Sequence, residues 1–396
     1  MSYEIASSGL NAVNQQLDSI SNNIANSGTV GYKSQTTQFA SMYAGSQAMG
    51  VSVSGTAQSI SRGGSMIATG NALDLAINNG GFFVTTDPNG GVSYTRAGSF
   101  TTDKNGYIVN TSGAQLQGYP VDANGVLQEG SVTSLQIQSG SIPAQATTEM
   151  DFTANLDSTS EVVDPTKTFD ASDSNTYTSS YTTSVYDSLG NEHTVGQYFV
   201  KTADNTWQVH YTFDGEEQTT TTSLQFDTNG KLTNPTAPVP MTFQAPGADD
   251  ITLTLDYGNC TQYGSDFAVA TNAADGYASA DQNGVQVDAD GKVYATYSNG
   301  ERMLQGQVVL ATFPDEDGLQ AVSGTAWEET GESGAPLLGA PGTGSTGTLS
   351  AGYLEGSNVD ITSELVDLMT AQRNYQANTK VISASNQLDQ ALFQAM

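Results

Sequence analysis

Both ends of this 396-residue chain carry an apolar stripe at helical spacing. From Ala6 through Leu10, Val13, Leu17 and Ile20 to Ile24, apolar residues recur every three or four positions, the seam along which a helix packs on a partner. The opposite face, Asn14, Gln15, Asp18, Ser19 and Ser21, is polar and nearly uncharged. At the far end Ile361, Leu365 and Leu368 keep the spacing, which resumes beyond Tyr375 at Ile382, Ser385, Leu388 and Leu392. The pattern predicts two terminal helices of about 30 to 50 Å at 1.5 Å per residue. Such helices gain most of their stability by covering the apolar face. Either the termini pair inside one globule, or the stripes find cover on sister molecules.

Charge separates the ends from the middle. The chain holds 11 Lys and Arg against 41 Asp and Glu, a formal net charge of −30, so nucleic acid and anionic membranes are unsuitable partners. In residues 1 to 70 Glu4 and Asp18 are balanced by Lys33 and Arg62, and residues 359 to 396 are almost balanced too. Nearly all the excess belongs to residues 71 to 358, so the ends can crowd together while the middle stays in water. One cysteine, Cys260, rules out an internal disulfide and predicts a buried small hydrophobe. The N-terminus shows no basic segment followed by an apolar run, and no stretch approaches the length of a membrane span. The expectation is a cytoplasmic chain, or one exported without a cleaved leader.

Between the stripes the period changes. Residues 34 to 70 show no sustained period and read as an extended connecting segment. Leu73, Leu75 and Ile77 alternate, Asn78 to Gly81 turn the chain and Phe82 to Val84 return, a predicted hairpin. Strands are predicted at Val92 to Tyr94, Tyr107 to Val109 and Leu116 to Tyr119, separated by turns at Asp103 to Gly106 and Asp122 to Gly125. A Thr, Ser and Tyr-rich tract follows Pro143, with strict alternation at Trp207, Val209, Tyr211 and Phe213 that leaves His210 facing solvent. Lys292 to Tyr297 and Met303 to Phe313 form a second hairpin around Ser298 to Gly300, and Asn358 or Asp360 caps the last helix.

The expected fold is multidomain and mainly β. Terminal helices (1–33 and 359–396) make a coiled-coil-like inner domain, joined by the connecting segment (34–70) to a discontinuous inner β-domain (71–143 and 285–358). An outer β-domain (144–284) is inserted into the inner one.

Several stretches resemble one family. Ser8 to Ala12, Leu17 to Asn26 (with Asn22, Asn23, Ala25 and Asn26), then Thr29, Gly31, Tyr32 and Lys33 closely resemble the N-terminal signature of the bacterial flagellar rod and hook axial proteins. Ala72 to Ile77, Gly81 to Val84 and Tyr94 to Phe100 are similar to that family's first β-domain. Leu354 to Ile361, Glu364 to Met369, and Gln372, Arg373 and Tyr375 with their neighbours are similar to its C-terminal signature. Phe39 and Tyr43 are similar to its short aromatic export motif.

The resemblance implies a helical tube built from many copies, with terminal helices packed around a channel, and export through the flagellar type III apparatus. The size of the insertion favours a hook subunit, a flexible joint carrying torque from rod to filament. It implies as partners the distal rod subunit, the hook cap, the hook-length control protein and the hook-filament junction proteins. A distal rod subunit shares the terminal signatures and remains an alternative. So does a surface β-protein that binds or hydrolyses carbohydrate.

The sequence selects no catalytic, cofactor-binding or metal-binding residues, and the reading is that the protein is not an enzyme. Asp288 and Asp290 lie just before Gly291, which invites a calcium-loop reading, but Gln286 and Tyr297 stand where strong ligands would be needed. His193 and His210 are isolated histidines, and no phosphate-cradling loop or nucleophile elbow occurs.

Overall fold

The computed structural model describes residues 2–44, 47–122 and 125–395. It is mainly β, with a helix at each end: α1, Ser2–Ala25, and α2, Ile361–Ala395, are the α-helices among the described residues. The chain divides into two compact units. The first holds Met1–Ser139, Gly284–Thr296 and Arg302–Met396, the second Gly140–Asn283 and Tyr297–Glu301.

In the first unit α1 leads into an antiparallel pair, β1 (Gln35–Ala44) and β2 (Gln47–Gln58), where the sequence shows only an extended connection. The register shifts at Gln38/Phe39 and again at Met42/Tyr43, so no two-residue period runs through the pair. The pair is ordered on α1: Ser19 Oγ lies 2.8 Å from Thr37 Oγ1, and the Val51 amide donates to Ser8 Oγ at 3.3 Å. Next, β3 (Met66–Ala68) pairs with Tyr353–Glu355, which brings the segment before α2 back to the region just after β2.

The hairpin expected between Leu73 and Val84 does not form. β4 (Leu75–Asn78) pairs with Thr348–Ala351, whereas β5 (Phe82–Thr86) pairs with β6 (Val92–Thr95), Gln115–Pro120 and Leu310–Thr312. Leu75, Ala76 and Ile77 are all buried, so β4 is covered on both faces rather than alternating. Asn79 and Gly81 have φ of 72° and 117°, and the Gly347 amide donates to Gly80 O at 2.8 Å, tying the turn to the returning strand. The hairpin of Lys292–Tyr297 with Arg302–Val308 does form. Beneath β5 and β6, Phe82 meets Phe313 and Trp327 edge-on at 5.9 and 5.6 Å, and Ile60, Val84, Tyr94 and Leu319 complete this core.

One turn design recurs in both units. Asp87, Asp103, Asp187 and Asp227 each accept the amides two and four residues on, with a glycine at the third position. Each of those glycines has φ near +80 to +90°, the left-handed region where a side chain costs energy. The predicted turn through Ala123 and Asn124 lies outside the described residues.

The second unit is a β-sandwich. One sheet runs Ser179–Tyr186, Glu192–Ala203, Thr206–Phe213, Glu216–Phe226 and Leu232–Asn234 as an antiparallel meander. The other centres on Glu149–Asp157, which pairs in parallel with Ile251–Asp256 and antiparallel with Ala268–Ala274. Alternation fills the space between them: Met150, Phe152, Ala154 and Leu156 face Phe199, Trp207, Val209, Tyr211, Phe213 and Leu224. Cys260 lies in this core, its thiol pushed up to about 11, chiefly by burial, which makes it an unreactive packing residue. Lys201 is buried as well, its Nζ donating to Ser158 O and Ser160 O at 2.6 and 2.9 Å.

Candidate functional site

The two helices form one antiparallel pair. Asn23 near the end of α1 meets Glu364 at the start of α2, and Gly9 lies against Asn378, where an added Cβ would stand 2.9 Å from the amide nitrogen. Between these points Val13, Ile20 and Ala371 are buried together, with Leu17, Ile24 and Leu368 half-covered around them. The stripe of α1 is thus largely covered within the chain, by α2 on one flank and by β1 and β2 on the other.

α2 is different. Of its 35 residues only Ala371 is fully buried among those described, whereas Ile361, Leu365, Val366, Met369, Tyr375, Val381 and Leu388 are exposed, Leu388 by 72%. Ile382 is half-buried, and the side chain of Leu392 lies outside the described residues. Among the described residues no helix is long and apolar enough to cross a membrane. A helix this long gains most of its stability by covering apolar side chains, and most of those on α2 are left uncovered within the chain.

At the root of the pair, buried polar groups join segments far apart in sequence. Asn23, 1% exposed, uses its whole amide: Nδ2 donates to Gln35 O and Glu364 Oε1, and Oδ1 accepts from the Gln35 amide and Tyr32 OH, all within 3.2 Å. Asn358 accepts the Ser34 amide at 2.7 Å and donates to Ser59 O and Arg62 O. Asp360, not Asn358, caps α2, accepting the Thr362 and Ser363 amides at 2.9 and 3.3 Å; these bonds hold its carboxyl below the usual range. Burial pulls Lys33 below the ordinary lysine value, and Glu355, 2.7 Å from its Nζ, works against that shift.

The sequence that builds this geometry matches known proteins along most of its length. Residues 4–33 match the model of the flagella basal body rod protein and 76–153 that of the flagellar hook protein FlgE/F/G D1 domain. Residues 155–277 match the flagellar basal body protein FlaE D2 domain, and 350–395 the flagellar basal body rod FlgEFG protein C-terminal model. The chain is 42% identical over 400 residues to the flagellar hook protein FlgE of Salmonella typhimurium, covering 98% of each chain. The chain belongs to the flagellar hook protein family. It is also 42% identical over 399 residues to the hook protein of Escherichia coli and 36% identical over 389 residues to that of Brucella abortus. A solved Helicobacter pylori flagellar hook protein shares the fold at a TM-score of 0.54 and 15% identity, covering 73% of this chain and 100% of that one.

Within this hook protein family member the signature residues divide by place. Gly31 is buried, and Asn26, Thr29 and Tyr32 are half-buried around the end of α1, where Thr29 Oγ1 donates to Asn26 Oδ1 at 3.1 Å. Asn22, Ala25, Gln372, Arg373 and Tyr375 lie on exposed faces, as do Phe39 and Tyr43 on β1; Leu10 is half-buried on α1. Two positions escaped the sequence pattern. Ala371 is too small to register in an apolar stripe, yet among the described residues it is the buried position of α2, packed with Val13 and Ile20. Glu355 is an isolated acid whose partners stand hundreds of residues away.

Both histidines are engaged by neighbours in the second unit. His210, expected in open solvent, is half-buried with its ring stacked 4.2 Å from Phe169, because residues between the strands cross over that face. His193 bridges two turns, with Nδ1 2.7 Å from Asp214 and Nε2 3.4 Å from Asp187. Burial opposes its protonation, but the two carboxylates outweigh burial and raise its pKa. Burial likewise acts against the Asp187 carboxylate, but bonds from Asn191, Leu189 and His193 bring it down to about 2. Asp288 and Asp290 are engaged by Arg302 at 3.1 Å and Lys292 at 2.8 Å.

A two-sided pH dependence of the second unit follows. The raised imidazole contributes stability that is complete below its unfolded value and lost as pH rises through the folded one. The depressed Asp187 contributes stability present above its unfolded value and lost as pH falls through about 2. Melting of the second unit is expected to peak in mildly acidic solution, and His193→Gln should flatten the alkaline limb. An unchanged alkaline limb in that variant would contradict the bridge.

Proposed function

We propose that this protein is the structural subunit of the bacterial flagellar hook, polymerising into a curved hollow helical tube. That tube acts as a flexible joint transmitting torque from rod to filament. The observation that carries this reading is the number of exposed apolar side chains along α2, on a helix already paired with α1 within the chain. Residues 1–33 and 359–396 make the polymerising layer. Residues 34–70 connect it to an inner β-domain of 71–143 and 285–358, and residues 144–284 form the outer domain. Charge supports that division, since the acidic excess lies outside the helices.

The subunit reaches the outside of the cell through the flagellar type III export apparatus without a cleaved signal peptide, and exposed Phe39 and Tyr43 are its candidate export motif. The distal rod subunit, hook cap, hook-length control protein and hook-filament junction proteins are the proposed partners. The role is non-enzymatic, as membership of a structural family implies.

Met369→Glu tests the polymerising face. Met369 is exposed, so the monomer should melt within about 0.5 kcal/mol of the wild type, while polymers no longer form. Deleting residues 1–24 should also abolish polymers and leave the second unit folded. Normal polymers from either variant would remove the role assigned to the helices.

A further inference from the structure

Glu355 is the meeting point of three stretches remote in sequence. Its Oε1 accepts from Lys33 Nζ at 2.7 Å and from the Gly64 amide at 3.0 Å, and its Oε2 accepts from Arg96 NH1 at 3.3 Å. Its backbone carbonyl accepts the Gly31 amide at 2.8 Å. Lys33, Arg96 and Glu355 are at most 3% exposed. Lys33 also donates to Arg62 O and Arg96 to Asn79 O, both within 2.9 Å, and the guanidinium lies 5.2 Å over the Phe82 ring.

Stability alone does not call for such a cluster. Buried ions lose hydration that their mutual attraction only partly restores, and well-packed apolar residues in their place are often as stable or more so. What charge-assisted bonds supply, and apolar contacts do not, is fixed direction and length. Here they fix the segment leaving α1, the strand leading into α2, and the β-domain core through Arg96 and Phe82. α2 begins shortly afterwards and runs for 35 residues, about 52 Å at 1.5 Å per residue. A tilt of roughly 5° at its root moves the far end by about 4 to 5 Å over that length, enough to misalign side chains packed as tightly as a protein interior.

We propose that Glu355, held by Lys33 and Arg96, is a positioning residue for polymerisation: it sets the direction in which the helix pair leaves the first β-domain. This rests on the reading that the helices polymerise.

The test compares full-length variants. Glu355→Gln keeps the size of the side chain and leaves two buried cations without their carboxylate. It is expected to raise the critical concentration for polymerisation about tenfold or more, with melting of the second unit unchanged. The triple replacement Lys33→Met, Arg96→Met and Glu355→Leu should restore melting of the first unit, followed by Trp327 fluorescence with Trp207 replaced by phenylalanine, yet give polymers of altered helical pitch or none. A cluster serving stability alone predicts that the triple variant recovers both. Wild-type pitch and critical concentration in that variant would therefore overturn the proposal.

Should the triple variant not fold, Arg96→Lys decides, because it keeps the charge and shortens the reach. Altered pitch supports positioning, and wild-type polymers overturn it. If Met369→Glu blocks assembly while these variants assemble normally, positioning alone fails; if Met369→Glu assembles normally, the polymerisation reading fails.

Discussion

Trp207→Ala is expected to lower the stability of the second unit by about 3–5 kcal/mol while the first unit melts as before. Trp207 is 1% exposed at the centre of the sandwich, and its Nε1–H donates to Gln262 Oε1 at 2.7 Å. Truncation opens a cavity the size of an indole between sheets whose strands are fixed by their ladders, so collapse can recover little of it. It also leaves Gln262 Oε1 without its buried donor, although Gln262 Nε2 still holds Asn205 at 2.9 Å. The chain has two tryptophans, Trp207 in the second unit and Trp327 in the first. In this variant Trp327 alone reports on the first unit, and hydrogen exchange over residues 192–226 reports on the second. A single transition that moves as a whole would show that the units do not melt separately.

The second large effect is expected from Gly31→Ala. Gly31 has φ of +70°, where a β-carbon costs about 1–2 kcal/mol, and that atom would stand 2.6 Å from the Ala97 nitrogen and 3.0 Å from its Cα. The obstacle is backbone, which cannot swing aside. The chain must move where the Gly31 amide bonds Glu355 O, so the root of the helix pair moves with it. We expect a loss of about 3 kcal/mol or more in the first unit, combining left-handed strain with forced displacement of packed backbone. Thermal melting followed by Trp327, with Trp207 replaced by phenylalanine, measures it. A first unit that melts like the wild type would mean that the loop has room to relax.

Much of the fold was legible because period and burial coincide. The helices follow from stripes spaced by three and four, and the strand around Trp207 from strict alternation, since each lies with one face in a core. β1 and β2 were not legible, because two register shifts destroy the period that would reveal them. β4 misled, because a strand covered on both faces reads the same whichever strand it joins, and its partner stands some 270 positions away.

At the candidate site the sequence marked which residues are apolar but not which side of α2 they take. Ile361 and Leu365 proved exposed where Leu368 and Ala371 face α1. The polar root was hidden for another reason: Lys33 and Glu355 bond across a separation of 322 residues, and no local pattern encodes a contact at that distance.

The unequal lengths of the helices, 24 residues against 35, bear on how growth stops or continues. The shorter one runs out before its mate, and the surplus of α2 extends beyond it as a tongue whose described side chains at Asn386, Gln387 and Leu388 are exposed. If that tongue is received by a different patch on the next molecule, each addition satisfies one copy and presents a fresh tongue from the newcomer. A joint of this head-to-tail kind has no symmetric endpoint, so length must be limited from outside the subunit.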